Sequence, residues 1–598
     1  MIADPLAGLA RPFVIVEDRL APGRPARLFA DPVEIVACDD PAAFPAALAA
    51  LEAGLARGLH AAGFLSYEAG YLFEPDLAPL MPERRRLPLL WFGLFAAPRE
   101  VPGADLDRAL AARPAAPPIT DLVPGHDLDA HVARVRTVLD HLDAGDAYQI
   151  NLTFPLAFRW SGDPLALWAS LRAAQPAAHG ALVALPEATI ASVSPELFLR
   201  VEGDRLTTRP MKGTSPRGAD PAEDAALAAA LAADDKQRAE NLMIVDLMRN
   251  DLSRVAVQGS VKVPDLFRVE TYPTLHTMTS TVTARLAPGV RPAEVLAAAF
   301  PCGSITGAPK HMAMKIIRRL EIAPRDVYTG AVGTLAPNGD IDLSVAIRTA
   351  ALHADGSGTY GVGGGIVADS KPTNEYEEAL LKGRVLTDMS SDFGLIETLR
   401  WSRSEGFVRR DSHLARLARS AAELGFPLNM SRLETDLAAL VAALVDDAPR
   451  RVRIELARDG TTSLAAPLLG PEPDRPLRVG LARDPVDAGD PFLRHKTTRR
   501  ARWDAASAEA ASLGLDDMVF VNRDGFLTES TRADLFVERD GRLLTPALHH
   551  GLLPGVLRQE LIETGRAIEA DLTPEDLVGA SWFLGNSLRG PKPARLER

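Results

Sequence analysis

Strand-forming runs in this chain are short, clustered and out of step with its helices. Ala181–Leu185, Thr189–Val193 and Leu197–Val201 follow one another with only turns between them. Before them, Ala147–Phe154 alternates like a strand with one face buried. Helical spacing marks Asp127–Asp143, Asp234–Asn250, a segment from Gly307-Ala308-Pro309 to about Leu320, and Asn374–Thr387. Strands resume at Val327–Leu335, Ile341–Leu352 and Tyr360–Val367. A doubly wound parallel sheet needs a helix between successive strands, and this order does not supply it. The expectation is an α+β fold built on large antiparallel sheets.

Near Asp388–Asp392 the pattern restarts. Phe393–Trp401 reads as a strand and Asp411–Leu424 as a helix; strands follow at Arg451–Ala457, Leu477–Leu481, Met518–Asn522 and Ala533–Glu538. At 598 residues the chain exceeds one ordinary domain. Domains over residues 1–387 and 392–598 are therefore expected. The Pro- and Ala-rich stretch Ala96–Pro124 reads as a linker between elements. No internal repeat is visible.

Composition removes several function classes. The net charge is −13, and no basic tract with interleaved aromatics is present, which argues against a nucleic-acid surface. The Ala-rich run Ala225–Ala233 lies between Asp224 and Asp234, too short to span a bilayer. Residues 1–20 carry Asp4, Glu17 and Asp18 and lack the basic start of a signal peptide. Two cysteines, Cys38 and Cys302, build neither a disulfide framework nor a metal cluster and fit a reducing cytoplasm.

Lysine is scarce: nine of the 66 basic residues. A chain that uses arginine wherever plain positive charge suffices keeps lysine for other work, because lysine can lose its proton and attack an electrophile. Lys212 sits in the Pro/Gly-bounded turn Thr208-Arg209-Pro210-Met211-Lys212-Gly213-Thr214. Beyond Asp392 only Lys496 and Lys592 occur, and Lys592 lies in a Pro/Arg-rich tail. Lys212 and Lys496 are the leading candidates for chemistry.

Four ordered motifs are specific: Gly145-Asp146-Ala147-Tyr148-Gln149-Ile150-Asn151-Leu152, Ser192-Val193-Ser194-Pro195-Glu196, Ala239 through Asp251 (AENLMIVDLMRND), and Gly303-Ser304-Ile305-Thr306-Gly307-Ala308-Pro309-Lys310. Residues 10–387 with these motifs resemble the chorismate-utilising family that includes anthranilate synthase component I and aminodeoxychorismate synthase component I. The resemblance implies an antiparallel sheet sandwich and a Mg²⁺ ion held by Glu240, Glu375 and Glu378. Oxygen ligands with waters and substrate suit that ion. It implies Arg348 and Tyr328 at the enolpyruvyl carboxylate, with Gly363, Gly364 and Gly365 bringing main-chain amides to it. The resemblance also implies that Ser304 and Thr306 line the same substrate pocket. Glu196 is implied as the general acid for hydroxyl departure, and His276 as a histidine near the ring. Lys212 selects the branch. Relatives that aminate C4 carry a lysine there, proposed to attack C2, while those that make anthranilate carry a small residue. The segment Gly63-Phe64-Leu65-Ser66-Tyr67-Glu68 is also family-like, in a region where relatives bind tryptophan. Neither cysteine has the surroundings of a glutaminase nucleophile. Ammonia is thus expected from a glutamine amidotransferase subunit or from free ammonium.

From Gly394 onward the chain resembles the fold type IV pyridoxal-phosphate family, which holds aminodeoxychorismate lyase and several aminotransferases. Lys496 in His495-Lys496-Thr497-Thr498 matches its lysine segment. Arg416 in His413-Leu414-Ala415-Arg416-Leu417 is implied as a phosphate ligand, and Glu529 as the partner of the pyridine nitrogen. Gly555, Val556 and Leu557 are implied as the phosphate cradle at a helix N-terminus. Two residues depart from the pattern: Asp534 stands where an Asn is usual, and Leu557 where a Thr is frequent. Thr398 is a candidate proton relay. A homodimer through this module is common in the family.

Together the two resemblances imply amination of chorismate at C4, followed by loss of the enolpyruvyl group as pyruvate to give p-aminobenzoate for folate synthesis. Two alternatives keep the first step. In one the second module is an aminotransferase acting on an unrelated amino acid; in the other it is a non-catalytic scaffold.

Overall fold

A computed structural model describes residues 4–21, 23–114, 116–117, 119–218, 221–272, 275–388, 393–424, 426–458, 460–471 and 474–597. The chain divides into two compact units. The first comprises Met1–Ser215, Ala228–Tyr272 and His276–Ser391; the second comprises Pro216–Leu227, Pro273–Leu275 and Asp392–Arg598. The expected boundary at residues 388–392 falls largely outside the described residues.

Two sheets of ten strands each form the first unit, and their pairings are antiparallel. Val14, Val183, Ile190 and Ala351 of one sheet share a buried apolar layer with Ala62, Phe64, Phe95 and Val332 of the other. Helices such as Phe44–Ala56 and Pro292–Ala299 cover the second sheet, while Pro164–Ala174 packs on the first. This is the α+β fold on large antiparallel sheets that the strand order implies, arranged as the sandwich that the family resemblance implies.

The expected strand Ile341–Leu352 is in fact two. Ile341–Val345 pairs within one sheet and Thr349–His353 within the other. The chain crosses between them at residues 346–348, where Arg348 adopts a φ of 52°. A continuous apolar run hides such a crossing, because each half is buried in its own sheet. The expected linker Ala96–Pro124 is also corrected. It holds the strand Arg99–Val101, the helix Gly103–Ala111 and the strand Thr120–Pro124. Leu106, Ala109 and Leu110 bury that helix's apolar stripe, and an Ala/Pro-rich composition masked it.

In the second unit, an antiparallel sheet of four strands runs through Leu395–Ser402 and Arg450–Leu456. An eight-stranded sheet beside it is mixed, with parallel pairs at Leu477–Leu481/Asp517–Val521 and Arg542–Pro546/Ala567–Ala570. Helices Met430–Ala442 and Ala501–Ser512, absent from the sequence reading, pack here.

One buried ion pair braces the first unit. Arg325 donates to both Glu321 oxygens at 2.7 and 2.8 Å, and to the carbonyls of Ile305 and Asn151 at 2.9 and 2.7 Å. Glu321 in turn accepts from the main-chain N–H and the hydroxyl of Thr153. Removing one partner of such a pair strands a buried charge at a cost of about 3–5 kcal/mol. Arg325→Met is expected to lower the urea midpoint of the first unit's transition by that measure, with Glu321→Leu added in the same chain restoring much of it. An unchanged midpoint for the single variant would contradict the bracing role.

Candidate active sites

The strand Gln149–Arg159 organises the first site. One edge pairs with Gly307–Ala308, in register Gly307↔Ile150, and the other with Ser357–Ile366, in register Gly365↔Asn151 and Gly363↔Thr153. It therefore holds the loop bearing Ser304 and Thr306 on one side and the triple glycine on the other. Gly363 has a φ of 156°, and a Cβ there would lie 2.3 Å from the Leu152 carbonyl oxygen. At Gly365 a Cβ would lie 2.4 Å from Gln149 Nε2 and 3.1 Å from Lys212 Nζ, so this glycine opens the space in which the lysine amine stands.

Lys212 lies on the strand Met211–Pro216, which borders Leu275–Arg285. Thr277 donates its hydroxyl to the Gly213 carbonyl at 3.1 Å and fixes this edge. Burial pushes the Lys212 amine below the ordinary lysine range, against the opposing pull of Glu240, Glu196 and Glu378. Glu196 is buried and accepts a hydrogen bond from Ser304 Oγ at 2.6 Å. Burial raises its carboxyl to about 7, with the Ser304 hydrogen bond and Lys212 opposing. An amine lowered by burial thus lies within electrostatic reach of a carboxyl raised by burial. His276 is buried on the strand next to Lys212, with Nδ1 2.9 Å from Thr271 Oγ1. Thr306 donates to the Cys302 carbonyl at 2.8 Å and shapes the loop that carries Ser304.

Arg348 stands at the crossing between sheets. Burial lowers its guanidinium, and among the described residues no carboxylate pairs with it. A desolvated, uncommitted guanidinium is a receptor for a carboxylate. The Tyr328 ring packs over the backbone at Gly361, two residues before the triple glycine.

The expected metal ligands are near one another but not chelating. Burial raises Glu240 and Glu375, and each is raised further by nearby carboxylates, Glu240 by Asp369 and Glu375, Glu375 by Glu378. Glu378 is exposed, ion-paired with Lys382 at 2.9 Å, and held below the carboxylate range chiefly by that lysine. Among the described residues, the one trio of His, Cys, Asp or Glu with ligand atoms within 4.8 Å of one another is His549, His550 and Asp571, in the second unit. The Glu240, Glu375 and Glu378 set fits an ion that keeps waters and takes further oxygens from a substrate, as Mg²⁺ does.

Two residues of this site escaped the sequence reading. Gln149 is fully buried, and neither side-chain amide atom has a hydrogen-bond partner. Its signal was legible: Gln149, Asn151 and Thr153 alternate with Ile150, Leu152 and Phe154, which puts three polar side chains on one buried face. Lys382, on the helix Pro372–Asp388, donates to the Gly363 carbonyl at 2.9 Å.

In the second unit, Lys496 is zipped onto the first strand. Its carbonyl accepts from Ile396 N–H at 2.8 Å, Thr497 bridges Leu395, and Gly394 and Thr498 exchange two bonds at 2.9 Å. Burial, and after it Arg416, lowers the Lys496 amine to about 8. Arg416 is buried and forked onto Glu397 through two 2.8 Å bonds, with a third donor to the Pro554 carbonyl at 2.9 Å. His413 adds a 2.6 Å contact from Nδ1 to Glu397. Burial opposes ionisation of Glu397, yet Arg416 and His413 hold its carboxyl down to about 2. Glu397 was also missed. Leu395, Glu397 and Leu399 share one strand face, and a carboxylate there demands a buried cation.

Thr398 points to the opposite strand face and is half-buried, and among the described residues its side chain makes no hydrogen bond to Lys496. Glu529 is buried and accepts from Trp503 Nε1 at 3.2 Å, and its carboxyl is raised to about 7 by burial and then by Asp534. Gly555 is the N-cap of the helix Val556–Glu563. Leu557 turns its side chain into an apolar cluster with Phe536 and Leu561, leaving only its main-chain N–H for a ligand. A depressed lysine, a buried carboxyl, a helix N-terminus and Arg416 form a donor set that fits pyridoxal phosphate, with Asp534 as an anion in the same corner.

Residues 17–388 match the chorismate binding enzyme family. The chain belongs to that family. Residues 394–595 match amino-transferase class IV. Aminodeoxychorismate synthase of Streptomyces pristinaespiralis is 43% identical over 334 residues, 53% of this chain and 46% of that protein. Aminodeoxychorismate synthase component 1 of Escherichia coli K12 is 46% identical over 257 residues, 43% of this chain and 56% of that protein. Anthranilate synthase component 1 of Thermus thermophilus is 42% identical over 258 residues, 43% of this chain and 56% of that protein. These alignments span about half the length of the relatives. Among solved structures, anthranilate synthase component I from Streptococcus pneumoniae superposes with a TM-score of 0.53 at 26% identity, covering 61% of this chain and 93% of that one. Identity alone does not separate aminodeoxychorismate from anthranilate synthases; the site residues must.

Lys496 with an amine near 8 is expected to react with a small acylating reagent at half-maximal rate near pH 8, because only the neutral amine is nucleophilic. Pulse labelling across pH with peptide mass spectrometry reads this. A midpoint above about 10, that of an ordinary lysine, would contradict the burial argument.

Proposed function

We propose that the first unit converts chorismate and ammonia to 4-amino-4-deoxychorismate, and that the second splits this product into p-aminobenzoate and pyruvate. The observation that carries the reading is the Lys212 amine, lowered by burial and seated over Gly365, within electrostatic reach of Glu196, whose carboxyl burial raises to about 7. Acid and nucleophile chemistry at neutral pH needs such a divergence of proton affinities.

Arg348 binds one carboxylate of the substrate, with the main chain at Gly363–Gly365 as a further source of amides. Glu196 gives its proton to the C4 hydroxyl, which leaves as water while Lys212 Nζ bonds to C2 and the ring double bonds shift. Ammonia then bonds to C4, the Lys212–C2 bond breaks, and the ring diene is restored. Gln149 offers its unsatisfied amide to the bound reactants. Mg²⁺, held by Glu240 with Glu375 and Glu378, would neutralise a substrate carboxylate. Lys212 favours amination at C4 over the anthranilate outcome, since an amine at this position has no part in direct attack of ammonia on C2.

In the second unit, pyridoxal phosphate would supply an electron sink, held by Lys496, by Glu529 at the ring nitrogen, and by Arg416 with the amides after Gly555. Lys496, with an amine near 8, takes the C4 proton of the intermediate. The enolpyruvyl group departs to become pyruvate, and the ring becomes aromatic. The class IV match also favours a transaminase reading of this unit, which would require an α-keto acid.

Ammonia comes from a separate glutamine amidotransferase or from free ammonium: Cys38 and Cys302 are both buried, and burial raises both thiols. Among the described residues no helix is long and apolar enough to cross a membrane. The free cysteines favour the cytoplasm, and a homodimer through the second unit fits the class IV likeness.

The test is product analysis with chorismate, Mg²⁺, pyridoxal phosphate and ammonium. The wild-type chain is expected to release p-aminobenzoate and pyruvate in equal amounts, and Lys496→Ala to accumulate 4-amino-4-deoxychorismate. Anthranilate as the product would overturn the first half. Unchanged p-aminobenzoate output from Lys496→Ala, or dependence on an α-keto acid, would overturn the second.

A further inference from the structure

Asp534 occupies the corner where the helix Val556–Glu563 begins. It is buried at 5% exposure, and a Cβ on Gly555 would lie 2.0 and 2.1 Å from its two carboxylate oxygens. The carboxylate therefore lies flat against the N-cap residue, and the main-chain N–H of Arg558 holds it there. A phosphate ester drawn to this N-terminus needs the same amides and the same positive end of the helix.

Charged groups face Asp534 from several elements. Arg558 comes from its own helix, Arg416 from Arg410–Leu424, Lys496 from the segment zipped to Gly394–Ile396, and Glu529 from the strand Leu527–Ser530. The two arginines are already committed. Arg416 is forked onto Glu397, and Arg558 is paired with Glu569 and with the Pro546 carbonyl. They have little charge left to neutralise both a carboxylate and a phosphate dianion. Burial raises the Asp534 carboxyl to about 6, opposed by Arg558 and Arg416, so a proton is within easy reach.

We propose that Asp534 competes with the cofactor's phosphate for the N-terminus of this helix, and takes up one proton when the phosphate is seated. Asp534 thus sets how tightly the second unit holds its cofactor at a given pH. The proposal rests on the pyridoxal-phosphate reading given above.

The sign follows from linkage. Above about pH 6 the free protein carries Asp534 ionised, and binding must supply its proton. Affinity then falls by up to about tenfold per pH unit relative to a chain without this carboxyl. The experiment titrates pyridoxal phosphate into the full chain freed of cofactor, from about pH 6 to about pH 8, by tryptophan fluorescence, and counts protons by calorimetry in buffers of different ionisation enthalpy. Asp534→Asn is isosteric, and Asp534→Ser provides a second variant. Wild type is expected to take up about one proton more than either variant and to lose affinity more steeply with pH. Pyridoxal, which lacks the phosphate, should bind wild type and variants alike.

Tight binding with the same proton count and the same pH slope in wild type and variants would overturn the role of Asp534 and leave the cofactor reading standing. The same difference with pyridoxal would overturn competition with phosphate. No binding of pyridoxal phosphate by any of these proteins would overturn the cofactor reading, and the proposal with it.

Discussion

Taking an amine out of water is the step on which both units rest. A lysine in solvent is protonated at neutral pH and cannot attack carbon. Lys212 and Lys496 are both lowered chiefly by burial, and both have carboxylates within electrostatic reach that pull the other way. Burial wins in each case. Those carboxylates must then be satisfied without water: Glu196 by Ser304, Glu397 by Arg416 and His413, Glu529 by Trp503.

The rigid surroundings follow from the same need. In the first unit, Arg325 joins the strand of Gln149, the loop of Ser304 and the turn of Tyr328–Thr329 by donating to two main-chain carbonyls and the Thr329 hydroxyl. The second unit reaches a like result by pairing the Lys496 segment to its first strand on both edges of Gly394. In both, a main-chain ladder positions the amine, and glycine leaves room beside the chemistry, at Gly365 in one unit and Gly555 in the other.

Much of this was legible in the sequence. Runs of short strands ruled out a doubly wound sheet, and lysine scarcity singled out the two amines. Period-two reading alone would have exposed Gln149 and Glu397, whose side chains share faces with buried neighbours. Other features were not local. The crossing at residues 346–348 that projects Arg348 interrupts no apolar pattern, since both halves are buried in different sheets. The helix Gly103–Ala111 hides in a composition that reads as a linker. The seat of Asp534 against Gly555 joins residues 21 positions apart, and no spacing rule announces it.

The claim that most needs a direct test is that Lys212 bonds to the substrate. The chain would be incubated with chorismate and Mg²⁺ without any source of ammonia, quenched, digested and read by peptide mass spectrometry. The account predicts that the Lys212 peptide gains the mass of chorismate less one water, and that added ammonium removes the adduct. An unmodified Lys212 peptide, under conditions where ammonium does support turnover, would contradict it.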